Sequence, residues 1–130
     1  MKSESRFWRS LKDKIPGHSM RVENGCLPGV PDVNICHCGK EVWVELKDTD
    51  SYPARAETRV FGPEGLRPEQ ILWINQRFKH GGNVYIVAKV AKDIYCISGE
   101  YANDFNNFNR KELVEKSLDY REILGMVLGS

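Results

Sequence analysis

Two alternating apolar–polar runs, Val33-Asn34-Ile35 and Val42-Trp43-Val44-Glu45-Leu46-Lys47, stand on either side of Cys38-Gly39. A period of two belongs to a strand with one buried face, and a two-residue turn with glycine at positive φ closes such strands into a hairpin. That turn sets the register. It places 33 opposite 44, 35 opposite 42 and 32 opposite 45, so Val33, Ile35, Val42, Val44 and Leu46 share a core face. Asp32, Asn34, Trp43, Glu45 and Lys47 share the other. Directly opposed carboxylates have Cβ atoms roughly 4.5 to 5.5 Å apart and repel unless something compensates. A divalent cation is the natural compensation, and oxygen-only ligands suit Mg2+ or Mn2+, which keep several waters and share the remaining positions with phosphate oxygens. Lys47, on the same face as Glu45, is placed to orient or deprotonate a water, or to stabilise charge developing on phosphate. The alternative is an ordinary hairpin with a solvated polar face.

At 130 residues the expectation is a single domain, residues 1–130, with an adequate core. No apolar run is long enough to span a bilayer and no signal peptide is read, so the chain is expected in the cytoplasm with no membrane partner. Cys26, Cys36, Cys38 and Cys96 would be reduced there. Cys36-His37-Cys38 with Cys26 raises a zinc alternative, against which the missing second cysteine pair counts. Net charge is only +1, but it is unevenly spread. Residues 1–21 carry six basic and two acidic side chains and residues 55–92 seven against three, whereas residues 22–54 hold six acids against two bases. Basic flanks around an acidic centre fit a phosphodiester substrate.

The rest of the chain reads as helices and strands around this hairpin. A first helix capped by Ser3 runs to about Lys14 and buries Phe7, Trp8, Leu11 and Ile15, with Glu4 near that stripe. His18 to Asn24 reads as a strand whose Arg21 and Glu23 share the face toward Asp32. Asp48 to Leu66 lacks periodicity, and Tyr52, Arg55, Arg59 and Phe61 suit a segment that orders over DNA, guanidinium groups on phosphates and rings on bases or sugar. A helix from Pro68 to His80 buries Ile71, Ile74 and Phe78, and turns a second row, Gln70, Trp73 and Arg77, toward the cleft. Arg67 precedes it, and with Arg21, Arg55, Arg59 and Arg77 completes the candidate phosphate contacts. Val84–Lys89 and Ile94–Ser98 read as strands, and Leu113, Val114, Leu118, Ile123, Leu124 and Val127 as a C-terminal helical stripe, covered either by the sheet or by a second copy.

Gly29-Val30-Pro31-Asp32 followed by Glu45-Leu46-Lys47 resembles the signature of the PD-(D/E)XK nuclease superfamily, and more closely its VRR-NUC branch. Gln70-Ile71-Leu72-Trp73 resembles that branch's Q-x-x-W helix, and Gly81-Gly82 with Asn83 to Val87 its glycine-led strand. The resemblance implies an α/β, restriction-endonuclease-like core, a central mixed sheet flanked by helices in αβββαβ order with a C-terminal helical tail. It implies metal-dependent hydrolysis of DNA in which the Leu46 carbonyl adds a ligand, Gln70 assists the metal or the scissile phosphate, and a glutamate, Glu4 or Glu23, completes the metal site. Small free-standing members of the superfamily, including phage-type ones that this chain resembles, imply a homodimeric Holliday junction resolvase acting on four-way junctions. A nuclease for flaps, nicks or duplex is the alternative among enzymes. A nonenzymatic DNA-binding or zinc-stabilised module is the alternative of another class.

Overall fold

The computed structural model describes residues 3–22 and 28–121, with side chains from Arg6 onward. The elements run α1 (Ser3–Lys12), β1 (His18–Arg21), β2 (Val33–His37), β3 (Lys40–Thr49), α2 (Pro68–Lys79), β4 (Asn83–Val90), β5 (Asp93–Ser98) and α3 (Arg110–Lys116). The expected αβββαβ order is present, and β5 and α3 extend it. The five strands form one sheet in sequence order, antiparallel except that β3 and β4 run parallel. A parallel neighbour requires a crossover, and α2 supplies it.

The hairpin register is the one expected: Val33 faces Val44 and Ile35 faces Val42, with Cys38 and Gly39 both at positive φ in the turn. Alternation then assigns each face of the sheet. Val33, Ile35, Val42, Val44 and Leu46 pack with Phe7, Trp8 and Leu11 of α1. On the opposite face Val84, Ile86, Ala88 and Ile97 pack with Ile74 of α2, Phe105 and Leu113. Layers on both faces make this an α/β sandwich.

Several boundaries differ from the sequence reading. β1 ends at Arg21, and pairing of the Val22 N–H with the Asp32 carbonyl continues its ladder by one bond. Arg21 lies opposite Val33, hence on the α1 face and turned away from Glu45. The expectation that its face lines the cleft beside Asp32 is therefore corrected. Phe78 is exposed, so only Ile74 is fully buried on the α2 stripe.

The loop after β3 is also corrected. Phe61 is buried and stacked on Phe105 with ring centroids 5.1 Å apart, and the Tyr52 hydroxyl bonds Asp93 and Tyr95. The Leu66 N–H donates to Asn106 Oδ1 at 2.7 Å, Asn106 Nδ2 donates to the Leu66 carbonyl at 2.8 Å, and the Val60 N–H donates to the Phe108 carbonyl at 2.9 Å. Its rings hold the loop to the protein rather than facing DNA.

At the C-terminal end α3 stops at Lys116, and Leu118 bridges Cys96 as extended chain instead of continuing the helix. Burial pushes the Cys96 thiol up to about 12, so this cysteine packs as an apolar group. Ile123, Leu124 and Val127 lie outside the described residues. No helix among the described residues is long and apolar enough to cross a membrane.

Candidate active site

Three neighbouring elements converge on the α2 face of β3. Glu45 and Lys47 alternate onto that face and lie beneath the first turn of α2, which covers them to 2 % and 8 % exposure. An acid and an ammonium pointing into a layer of protein must be satisfied there, because burying either alone costs several kcal/mol. Gln70 satisfies both. Its Nε2 donates to Glu45 Oε2 at 2.9 Å, while its Oε1 accepts from Lys47 Nζ at 3.2 Å and from the Arg67 backbone N–H at 2.9 Å. Lys47 Nζ also stands 3.4 Å from Glu45 Oε2. The bond to the Arg67 N–H closes the first turn of α2, so the helix terminus and the acid–lysine pair share one amide.

Asp32 arrives from the other side. It sits just before β2, and its Oδ2 accepts the Leu46 N–H at 2.9 Å. The paired ladder of the hairpin ends at Val33 and Val44, and two residues before Val33 stands Pro31, which has no N–H to extend it. The aspartate side chain thus accepts a bond that the strand's backbone would otherwise make. Gly29 explains the start of the motif. Its φ is +92°, and a Cβ there would lie 2.3 Å from the Glu69 carbonyl oxygen, so the turn carrying Asp32 is wedged against the first turn of α2.

Glu45 carries the electrostatic signature of the site. Burial first, and the Asp32 carboxylate second, push its carboxyl up to about 8, with Lys47 opposing. One oxygen, Oε1, is buried with no hydrogen-bond partner among the described residues. A buried carboxyl oxygen with no hydrogen-bond partner, beside a second carboxylate, is the kind of oxygen donor set that fits Mg2+ or Mn2+. Among the described residues no three His, Cys, Asp or Glu side chains gather to hold a metal, at this site or at Cys36 and Cys38.

No protein-family model matches the chain, and no curated protein does. Among solved structures, it is similar to Hjc from Archaeoglobus fulgidus, a Holliday junction resolvase from an archaeal hyperthermophile. The TM-score is 0.66 at 13% sequence identity, over 95% of this chain and 97% of that one. The fold is restriction-endonuclease-like. Its agreement with the expectation rests on the five-stranded mixed sheet and its flanking helices rather than on identity of residues.

The other sequence candidates are scattered more widely. Glu4 belongs to the first turn of α1, a helix that packs on the face opposite Glu45, and its side chain is outside the described set. Glu23 and Cys26 also lie outside the described residues. Arg55 and Arg59 are exposed on the loop. Arg67 is exposed and pairs with Glu69 at 3.0 Å.

Arg77 is placed differently from all of these. Its guanidinium lies 5.0 Å from the ring centre of Trp73 and 5.6 Å from that of Trp43, and the two indoles meet edge to face at 5.4 Å. This stack went unread in the sequence. The signal was there, since Trp43 has the parity of Glu45, and Trp73 and Arg77 follow Gln70 at helical spacing.

Proposed function

We propose that this chain is a divalent-metal-dependent, structure-selective DNA endonuclease of VRR-NUC type, a Holliday junction resolvase that works as a homodimer on four-way junctions. The observation that carries the proposal is Glu45: a buried carboxyl group with one unpartnered oxygen, set beside Asp32 and tied to Lys47 through Gln70. The likeness along nearly the whole chain to a Holliday junction resolvase supports the substrate class.

Asp32, Glu45 and the Leu46 carbonyl would hold Mg2+ or Mn2+, with Glu4 or Glu23 as the further carboxylate. The bound cation supplies Lewis-acid stabilisation of charge at the scissile phosphate and lowers the pKa of a water. Lys47 steadies the attacking water and the developing phosphate charge from the side opposite Asp32. Gln70 holds Glu45 and Lys47 in register, so neither side chain has to reorganise when substrate arrives. Arg55, Arg59, Arg67 and Arg77 contact backbone phosphates outside the chemistry.

Cleavage of a mobile four-way junction, a splayed arm, a nicked duplex and plain duplex, each with Mg2+ and with Mn2+, tests the proposal. Symmetric nicks on the junction, lost in Asp32→Ala and Lys47→Ala, are expected. Equal cleavage of all four substrates would refute junction selectivity, and no cleavage with either metal would refute the enzyme.

A further inference from the structure

On the catalytic face of the sheet the described elements leave the β1 edge and the hairpin end of β2 open, with Asn34 half-buried between them. The helix α2, Phe105 and Leu113 cover β4 and β5, whereas on β1 and β2 Met20 is 52 % exposed and Cys36 is exposed. The wall beside this open floor is the α2 row Gln70, Trp73 and Arg77. The row runs antiparallel to β3: Gln70 meets Glu45 and Lys47 at one end, and Arg77 meets Trp43 at the other. Seven helical residues at 1.5 Å rise put Arg77 about 10 Å from Gln70 along the helix. That is about three nucleotides of a duplex strand at 3.4 Å each.

Arg77 is braced from two sides at that distance. Its stem crosses the space that a side chain on Gly82 would fill, since a Cβ there would lie 2.6 Å from Arg77 Cγ. Its guanidinium rests over two indoles, and among the described residues no carboxylate pairs with it. Trp43 Nε1 is already committed to Glu41 at 3.0 Å, which fixes that indole in turn. A guanidinium held this way keeps its N–H edges for phosphate and its outer face for a π-system.

Building on the nuclease reading, we infer that the Trp43–Trp73–Arg77 stack is a plate for an unpaired or unstacked nucleotide, about three positions from the scissile phosphate, and that it selects branched DNA over continuous duplex. A base that remains paired and stacked in a duplex cannot present its face to the plate. A base at a branch point can, and stacking on an aromatic or guanidinium plane is tolerant of sequence.

Binding measured without cleavage separates this inference from the nuclease reading. The 130-residue chain is titrated in EDTA, and again in Ca2+, with a four-way junction, a gapped duplex carrying unpaired nucleotides and a matched duplex, by anisotropy and by tryptophan fluorescence. Wild type is expected to show indole quenching with the first two substrates only. Trp73→Ala is expected to lower the ratio of branched to duplex affinity by about 5- to 150-fold, the range that loss of one stacked base implies. Because Trp73 is half-buried, exposed Arg77 provides the second probe: Arg77→Lys keeps the charge but not the plane and is expected to lower the same ratio, with thermal melting unchanged. Equal losses on all three DNAs, or a wild-type ratio in Arg77→Lys, would reduce the plate to an ordinary phosphate contact and overturn the inference. Plate-dependent binding without cleavage in any metal would uphold the plate and overturn the nuclease. No binding to any DNA would overturn both.

Discussion

Glu45 shows how one residue can link stability, pH and metal. Its carboxyl is held at about 8 in the folded chain against an ordinary 4.5, so between those values the folded state keeps a proton that the unfolded state has released. Stability therefore falls as pH rises through this window and levels off above about 8. Thermal melting between pH 5 and pH 8.5 in EDTA should show that decline, and Glu45→Gln should flatten it; an unchanged slope in the variant would assign the decline elsewhere. A cation held at Asp32 and Glu45, as proposed, would favour the ionised form, so Mg2+ should bind more tightly as pH rises, with proton release detectable by calorimetry in buffers of different ionisation enthalpy. Asp32→Ala should abolish that binding.

At the scale of elements, the site depends on where the first turn of α2 sits. Gly29 is the tightest control, because its positive φ and the 2.3 Å approach to the Glu69 carbonyl both exclude a side chain. Gly29→Ala should destabilise by more than about 1 kcal/mol and reduce cleavage further than the lost stability explains, because Gln70 moves with the helix terminus. A variant that melts lower but keeps wild-type turnover would show that the wedge serves stability only. The loop before α2 is anchored by the stacked ring of Phe61, and removing that ring should cost about 3–5 kcal/mol by leaving a cavity. Denaturant unfolding of Phe61→Ala measures this, and a change below about 1 kcal/mol would mean that the loop is held by its backbone bonds instead.

For the whole molecule, the near-neutral net charge of +1 means that a DNA substrate, on the proposed function, would be gripped by local basic surfaces and not by a general field. Paired, symmetric cuts in a four-way junction call for two active sites related by a twofold axis. Sedimentation of the protein with a junction should give two 14.9 kDa protomers per DNA. One protomer per junction, with a single nick, would contradict the dimeric resolvase.

Much of this architecture is legible in the chain because its causes are local. The alternation through Val42 to Lys47 and the turn at Cys38-Gly39 determine the hairpin, its core face and the opposition of 32 to 45, since a period of two leaves no freedom once the turn length is set. The helical spacing of Gln70, Trp73 and Arg77 likewise shows in the sequence that these three side chains share a face. What lies across from that face does not. The crossover from β3 to a parallel β4 lays α2 over β4 with its Gln70–Arg77 row toward β3, so that Gln70 bridges Glu45 to Lys47 while Arg77 settles on Trp43, residues distant in sequence whose meeting no periodicity encodes. The same holds for Phe61 and Tyr52, whose ring chemistry suits DNA as well as it suits a core; only the position of Phe105, Asp93 and Tyr95 decided between them. Which side chains share each surface follows from the chain alone, because backbone geometry repeats locally. Which surfaces meet is settled only in the folded molecule, because that depends on burying all the apolar faces at once.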